Sequence, residues 1–389
     1  MKLKVTVINS GGQGHYMIGF VNGLADNNVS VDVIDSEDNR DSFVGIPNVR
    51  HYSFIKWSGF KQPIYKKIVR VLLYPFLLLF YLLFTNSDVI HMQWEGRQFK
   101  SFYRYFIPIL CRVRRKKLVL TVHNVNAQCR DTGRTDAYTV KSLSYLYSHC
   151  DGLIAHTKSI KEELLDQFDL ASERIHVVPH GSNNAVKTTA LSCSDARQQL
   201  GLPKDAKVLL LFGGFRRSKN YELLISAMPQ LLEKYPEVIT VIAGDIANVE
   251  SYYNELFELV ESLGISKSIR FYPGFVPDEM VEVYFKAANA VVLPYKSISM
   301  TGIPFMAFMF GLPVIASRIG GLPELVVDGK YGLLFESENI HDLQMKLVGF
   351  FESELYSNPS KKTEIHEYVN REFAWSEIGR RTIEMYNNL

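Results

Sequence analysis

A chain of 389 residues is too long for one ordinary core and suits two α/β domains of roughly 180 residues each, an arrangement that invites a cleft between them. Hydrophobic residues at 47% and charged residues at 22% sit near globular averages, which excludes a disordered chain and a polytopic membrane protein. A formal net charge of +2 is too small for a general nucleic-acid binder.

The chain opens on Val5-Thr6-Val7-Ile8, which reads as a first strand because polar residues interrupt the apolar run too early for a targeting peptide. The four cysteines, Cys111, Cys129, Cys150 and Cys193, show no C-x-x-C spacing. Reduced thiols in a cytoplasmic protein are the expectation. Short β-branched runs then alternate with helical stretches, the pattern of βαβ units and a parallel sheet. A first series covers 5–9, 29–34, 88–91, 117–123, 152–155 and 175–178. The polar stretch Gly181 to Ser194 interrupts it, and a second series follows at 207–213, 238–243, 269–272, 290–293, 313–316 and 332–335. The expected organisation is a first α/β domain over 1–183, a second over 184–365, and a last helical segment, 366–389, packing back on the first domain.

Open parallel sheets bind ligands beyond the carboxyl ends of their strands, so the loops there are where chemistry is sought. The first strand runs into Asn9-Ser10-Gly11-Gly12-Gln13-Gly14-His15, a glycine turn opening a helix, where free N–H groups favour anions. A dinucleotide site is the rival reading. Its third glycine is missing, however, because Met17 stands there. His91 and His123 each end a strand, and each could bond a sugar hydroxyl or be a satisfied core histidine. Spacing leaves that choice open.

The second series begins with an apolar strand that breaks into Gly213-Gly214-Phe215-Arg216-Arg217-Ser218-Lys219. An arginine fork and a lysine point charge suit a diphosphate, whereas a solvated basic loop is the plain alternative. Thr301 and Gly302 precede a helix whose N-terminus can hold phosphate. In Gly320-Gly321-Leu322-Pro323-Glu324, Pro323 starts a short helix and Glu324 falls in its first turn, where capping alone would account for it.

Taken in order, the glycine loop, Thr121-Val122-His123-Asn124, Val177-Val178-Pro179-His180-Gly181, the Gly-x-x-Arg-x-x-Lys segment, Gly274-Phe275-Val276-Pro277, and Gly-x-Pro-Val followed by Gly-Gly-x-Pro-Glu resemble the retaining GT-B glycosyltransferases of family 4, the glycosyl transferases group 1. The resemblance spans nearly the whole chain. It implies two Rossmann-like parallel-sheet domains facing a cleft, a nucleotide-sugar donor, a glycan or lipid-linked acceptor, and transfer with retained anomeric configuration, in surface polysaccharide biosynthesis. It further implies that Arg216 and Lys219 bind the diphosphate, that His123 contacts the transferred sugar, that the loop of Gly11, Gly12 and Gly14 borders the reaction centre on the donor, that Gly213 is donor-binding, and that Thr301 and Gly302 add donors at the phosphate. No metal or other cofactor is implied, and no strict Asp-x-Asp occurs in the chain.

Many relatives carry two glutamates eight apart before the Gly-x-Pro-Val turn. Ile298 and Met306 stand there instead, so the chain falls in a subgroup lacking the pair, and Glu324 is the candidate substitute at the ribose. A non-catalytic sugar-nucleotide-binding partner and a sugar-nucleotide epimerase on the same fold remain alternatives.

The run Val71 to Phe84 is apolar over about fourteen residues, below the ~20 that span a bilayer. It reads either as a buried helix or as an interfacial one. Basic residues precede it, and an aromatic stretch, 102–106, with Arg104 inside it, followed by Arg112, Arg114 and Arg115, comes after it. That mixture suits anionic headgroups. His15, His91, Arg112, Arg114 and Arg115 are therefore expected on the acceptor or membrane side, in a peripheral protein at the inner face of the membrane, with no nucleic-acid partner.

Overall fold

The computed structural model describes residues 2–9, 14–35, 40–52, 54, 64–95, 99–126, 136–182, 186, 188–247, 249–298 and 300–389, with 40 and 64–71 described by their backbone alone. The chain divides into one unit of Met1–Gly181 with Phe373–Leu389 and a second of Ser182–Glu372.

The first unit is built on a parallel sheet in the order β3-β2-β1-β4-β5-β6-β7. Its strands are β1 (Lys4–Asn9), β2 (Ser30–Asp35), β3 (Val49–Tyr52), β4 (Val89–Trp94), β5 (Lys117–Val122), β6 (Gly152–Ala155) and β7 (Ile175–Val177). The central strands are buried along almost their whole length, which is why they read as predominantly apolar runs. β3 was not expected from the sequence. It is a four-residue edge strand, part-exposed and carrying Arg50 and His51, so it has no apolar run to betray it.

Helix α1 (Gly14–Asp26) follows β1, and the last helix, Trp375–Asn387, lies along it. The two come close because α1 presents glycines. A Cβ on Gly23 would meet the Trp375 carbonyl oxygen at 2.0 Å, and one on Gly379 would meet that of Gly23 at 2.1 Å. Trp375, Ile378, Met385 and Tyr386 thereby join the core formed by Val5, Val7, Phe20 and Leu24.

Helix α2 (Ile64–Phe84) contains the apolar run, with Pro75 inside it. Tyr74, Leu78 and Leu82 face the unit's interior. The Tyr81 hydroxyl donates to Asp32 Oδ2 at 2.7 Å and lies 3.0 Å from Thr6 Oγ1, which fixes the helix to β1 and β2. The helix is thus buried on one side only. Helix α3 (Ile107–Val113) packs beside α2 and leads into β5, and α4 (Ala137–His149) precedes β6, its N-terminus capped by Asp136 accepting from Thr139 N at 2.8 Å.

The second unit holds a parallel sheet ordered β10-β9-β8-β11-β12-β13. Its strands are β8 (Lys207–Phe212), β9 (Val238–Gly244), β10 (Ile269–Pro273), β11 (Ala290–Leu293), β12 (Val314–Ser317) and β13 (Gly332–Phe335). Leu209, Leu211, Val238, Ile242, Val292 and Ile315 form its core with Leu224 and Met228 of α5 (Tyr221–Lys234). Both sheets are Rossmann-like. In each, strand order reverses beside the first strand, between β1 and β4 and between β8 and β11, and ligands bind at the carboxyl side of such switch points.

Candidate functional site

In the second unit, the backbone leaving β8 enters its loop at Gly213 with φ 103°, a conformation that suits glycine. A Cβ there would lie 2.7 Å from Lys219 Nζ, so the missing side chain lets the ammonium come down onto the backbone. The loop after β9 closes on the same point, since a Cβ on Gly244 would meet the Gly213 carbonyl oxygen at 2.1 Å. Tyr221 donates its hydroxyl to that oxygen at 3.0 Å.

Lys219 ends a single 3₁₀ turn, Arg217–Lys219, whose Ser218 carbonyl accepts from Lys296 N at 2.9 Å. The turn after β8 is thereby tied to the loop after β11. The Lys219 ammonium lies 5.9 Å from the Tyr221 ring centroid and 5.8 Å from that of Tyr295. Among the described residues it donates to the Phe212 carbonyl, at a long 3.5 Å. Burial first, and the Arg216 guanidinium second, pull its pKa from the ordinary lysine value down to about 8. A cation held this way, short of counter-charge, is poised for an anion.

Arg216 is exposed and extended beside it. Arg217 turns elsewhere, to Glu255 Oε1 at 2.6 Å and over the Tyr252 ring at 4.9 Å. Thr301 Oγ1 accepts from Ile303 N at 3.3 Å, where α6 (Ile303–Met309) begins, and Ile303 Cδ1 comes within 3.8 Å of the place a Gly213 Cβ would take. Gly213, Lys219, Thr301 and Gly302 are therefore brought to one corner of the sheet, at the β8/β11 switch point. Glu324 is exposed on the four-residue helix α7 (Leu322–Leu325), and Met306 is half-buried on α6. Tyr221 and Tyr295 were missed by sequence reasoning. Tyr295 sits two residues past β11, at the kind of position the strand-end rule selects.

In the first unit, His123 leaves β5 and is buried. Its ring stacks on Trp94 with centroids 4.4 Å apart and planes 2° apart, and it meets Tyr16 edge-on at 4.7 Å and His156 at 5.0 Å. Burial, reinforced by the neighbouring histidines, holds its pKa well below the ordinary range. Among the described residues its Nε2 has no hydrogen-bond partner, nor has Trp94 Nε1 or Gln93 Oε1. These three side chains, with Glu95 and Arg104, line a cavity of about 120 Å³ at the carboxyl ends of β4 and β5. The buried polar atoms left over there suit a hydroxylated ligand. Trp94 and Glu95 were not singled out from the sequence, since neither carries a motif.

The remaining candidates scatter. His91 is fully buried, with Nδ1 bonded to the Tyr386 hydroxyl and Nε2 2.8 Å from Thr121 Oγ1, so of the two readings left open the structure shows a satisfied core histidine. Arg104, expected among the headgroup cations, is buried instead, ion-paired with Glu95 and donating to Ser142 Oγ at 2.6 Å. Gly14 and His15 stand in the first turn of α1, His15 exposed, while Gly11 and Gly12 lie outside the described residues. Arg112, Arg114 and Arg115 precede β5, at the amino-terminal end of the strand whose carboxyl end leads into His123. Among the described residues no group of three His, Cys, Asp or Glu is placed to hold a metal ion.

Comparison with known proteins assigns both units. The pattern of the Glycosyltransferase Family 4 matches residues 10–185, and that of the Glycosyl transferases group 1 matches residues 194–368. A D-inositol 3-phosphate glycosyltransferase of Corynebacterium aurimucosum is 30% identical over 265 residues, 66% of this chain and 62% of that protein. The corresponding protein of Corynebacterium urealyticum is 29% identical over 63% of this chain and 58% of its own. The chain thus matches about three-fifths of the length of these relatives. An uncharacterized glycosyltransferase of Methanocaldococcus jannaschii is 26% identical over 97% of this chain and 94% of its own. Among solved structures, Anabaena HepE in complex with UDP superposes with a TM-score of 0.73 at 18% identity over the full length of both chains. Sucrose-phosphate synthase from Thermosynechococcus elongatus does so with a TM-score of 0.73 at 20% identity, covering 100% of this chain and 99% of its own.

Proposed function

The chain belongs to the family 4, group 1 glycosyltransferases, and on that premise we propose that it moves a sugar from a nucleotide-sugar donor to a glycan or lipid-linked acceptor with retention, in the assembly of a surface polysaccharide at the inner face of a membrane. The observation that carries this reading is the Lys219 ammonium, desolvated against the Gly213 backbone at the β8/β11 switch point. A nucleoside diphosphate is the group that site is built to receive.

In the proposed reaction the bond from the sugar's anomeric carbon to the diphosphate oxygen breaks, and an acceptor oxygen bonds to that carbon from the same face. The acceptor's proton passes to the departing diphosphate. Charge builds on the β-phosphate as the bond opens, and Lys219, with Arg216 and the donors of Thr301 and Gly302, stabilises it without a metal or other cofactor. His123 is assigned to the transferred sugar through its unpartnered Nε2, which in a neutral ring donates to or accepts from a hydroxyl.

Met306 and Ile298, where relatives carry glutamates, favour a second reading, a sugar-nucleotide-binding partner without turnover. Glu324 is assigned to the ribose in their place. A panel of UDP-, GDP- and ADP-sugars separates the readings. Slow donor hydrolysis or transfer supports the transferase, reversible isomer formation an epimerase, and saturable binding without turnover the inert partner.

A further inference from the structure

The α2–α3 face of the first unit carries features that sugar transfer does not use. On α2, Phe76, Phe80 and Phe84 are 69%, 65% and 70% exposed. They recur every fourth residue and so stack along one side, away from the buried Tyr74, Leu78 and Leu82. The neighbouring α3 does the same with Ile109 and Val113, 50% and 72% exposed. Contiguous exposed apolar surface of this kind marks an interaction site. Among the described residues no helix is long and apolar enough to cross a membrane.

Charge lies next to these residues. The sequence from 96 to 130 contains no Asp or Glu. Ile109 and Val113 line, together with Arg112, Arg115, Lys116 and Arg174, a cavity of about 700 Å³ where β5 and β6 begin. The single acid of its lining, Asp151, is engaged by Lys117 at 3.2 Å and by Leu118 N at 2.9 Å. Arg112, Arg115 and Lys116 have no ion-pair partner among the described residues. A surface that sets apolar side chains beside uncompensated cations matches the acyl boundary and phosphates of an anionic bilayer. A second copy would bury those cations without counter-charge.

We propose that this face docks on an anionic lipid bilayer, the exposed side chains of α2 and α3 entering the acyl boundary and the cationic cavity taking the phosphate of a phospholipid headgroup. The inference deepens the membrane contact named above and rests on that contact, not on the donor chemistry. Co-sedimentation of the full chain with vesicles of phosphatidylcholine plus phosphatidylglycerol, and of phosphatidylcholine alone, tests it. The chain should partition onto the anionic vesicles and be released by high salt. Each cation near an anionic surface contributes about fivefold, so Arg112→Gln, Arg115→Gln and Lys116→Gln together should lower partitioning by about 10²-fold. Phe76→Ser with Phe80→Ser and Phe84→Ser should lower it at least about tenfold. All six side chains lie at the surface or in the open cavity, so circular dichroism, Tm and vesicle-free donor hydrolysis should match wild type. Equal partitioning on both vesicle types, variants that partition like wild type, or a dimer that the phenylalanine variant dissociates would overturn the proposal. Loss of donor turnover with partitioning intact would instead count against the transferase reading alone.

Discussion

Replacing Lys219 by alanine removes an ammonium that the loop after β8 holds desolvated and short of counter-charge. The drop of its pKa from the ordinary value of 10.5 to about 8 corresponds to about 3 kcal/mol of unfavourable burial, most of it desolvation and the rest repulsion from Arg216. A diphosphate would repay that cost, and it would do so most fully when the sugar bond has broken. Lys219→Ala should therefore lower turnover by roughly 10²-fold at saturating donor. The pH profile follows from the same shift. Below about pH 8 the free enzyme holds the ammonium; above it the charge is lost, so kcat/KM for the donor should fall about tenfold per pH unit. Lys219→Arg should flatten that fall. Stability moves the other way, because between about pH 8 and 10.5 the unfolded chain binds more protons at this residue than the folded one, and stability rises with pH across that window. Lys219→Met should accordingly raise the Tm of the ligand-free protein at neutral pH. Arg217, tied to Glu255 on the exposed surface, is the control, and Arg217→Ala should change turnover less than threefold, roughly the effect of losing a surface ion pair. The assay is nucleoside diphosphate release at saturating donor and acceptor, from pH 6 to about 9.5, a range set to bracket the shifted pKa. Wild-type turnover in Lys219→Ala, or a flat alkaline limb, would refute the diphosphate assignment.

Chelator should leave transfer intact, since Lys219, Arg216 and backbone donors supply the countercharge; complete loss restored by Mg²⁺ would contradict this. Burial holds His91 and His156 near pKa 3 and His180 near 4, with His123 also depressed. The unfolded chain therefore binds protons first as pH falls below about 6.5, and each site should cost on the order of 1–2 kcal/mol by pH 5, read as a falling urea midpoint whose absence would argue against the buried cluster. Gly213→Ala forces a Cβ to 2.7 Å from Lys219 Nζ at φ 103°, and should cut donor affinity with a loss of stability of about 1–3 kcal/mol. Gly23→Ala, driven against the Trp375 carbonyl, should cost about 2–4 kcal/mol by chemical denaturation and leave the second unit's nucleotide affinity unchanged.

The two parallel sheets were legible because central strands buried on both faces are mostly apolar, as Leu209 to Phe212 are throughout and as Val5, Val7 and Ile8 are around the single Thr6. β3 was not, since an edge strand may be polar. The corner at the β8/β11 switch point was a candidate from the sequence because a glycine break and three cations, Arg216, Arg217 and Lys219, lie within seven residues of one strand end. Tyr295 beside Lys219, and Trp94 stacked on His123, are brought in by tertiary packing from other strand ends, so no spacing within one motif announces them. The apolar run on α2 shows the limit of periodicity. Its composition allowed either burial or exposure, and the choice came from Tyr81 and Asp32, which fix one side to the sheet and leave the other out.

The anomeric outcome of a single reaction is the most direct test of sugar transfer by this chain. Purified protein incubated with a panel of UDP-, GDP- and ADP-sugars should release nucleoside diphosphate from one of them in wild type and about 10²-fold more slowly in Lys219→Ala, and proton NMR should show the product with the donor's anomeric configuration. Binding of a donor at saturation with no release over wild-type and variant alike, or a product of inverted configuration, would contradict it.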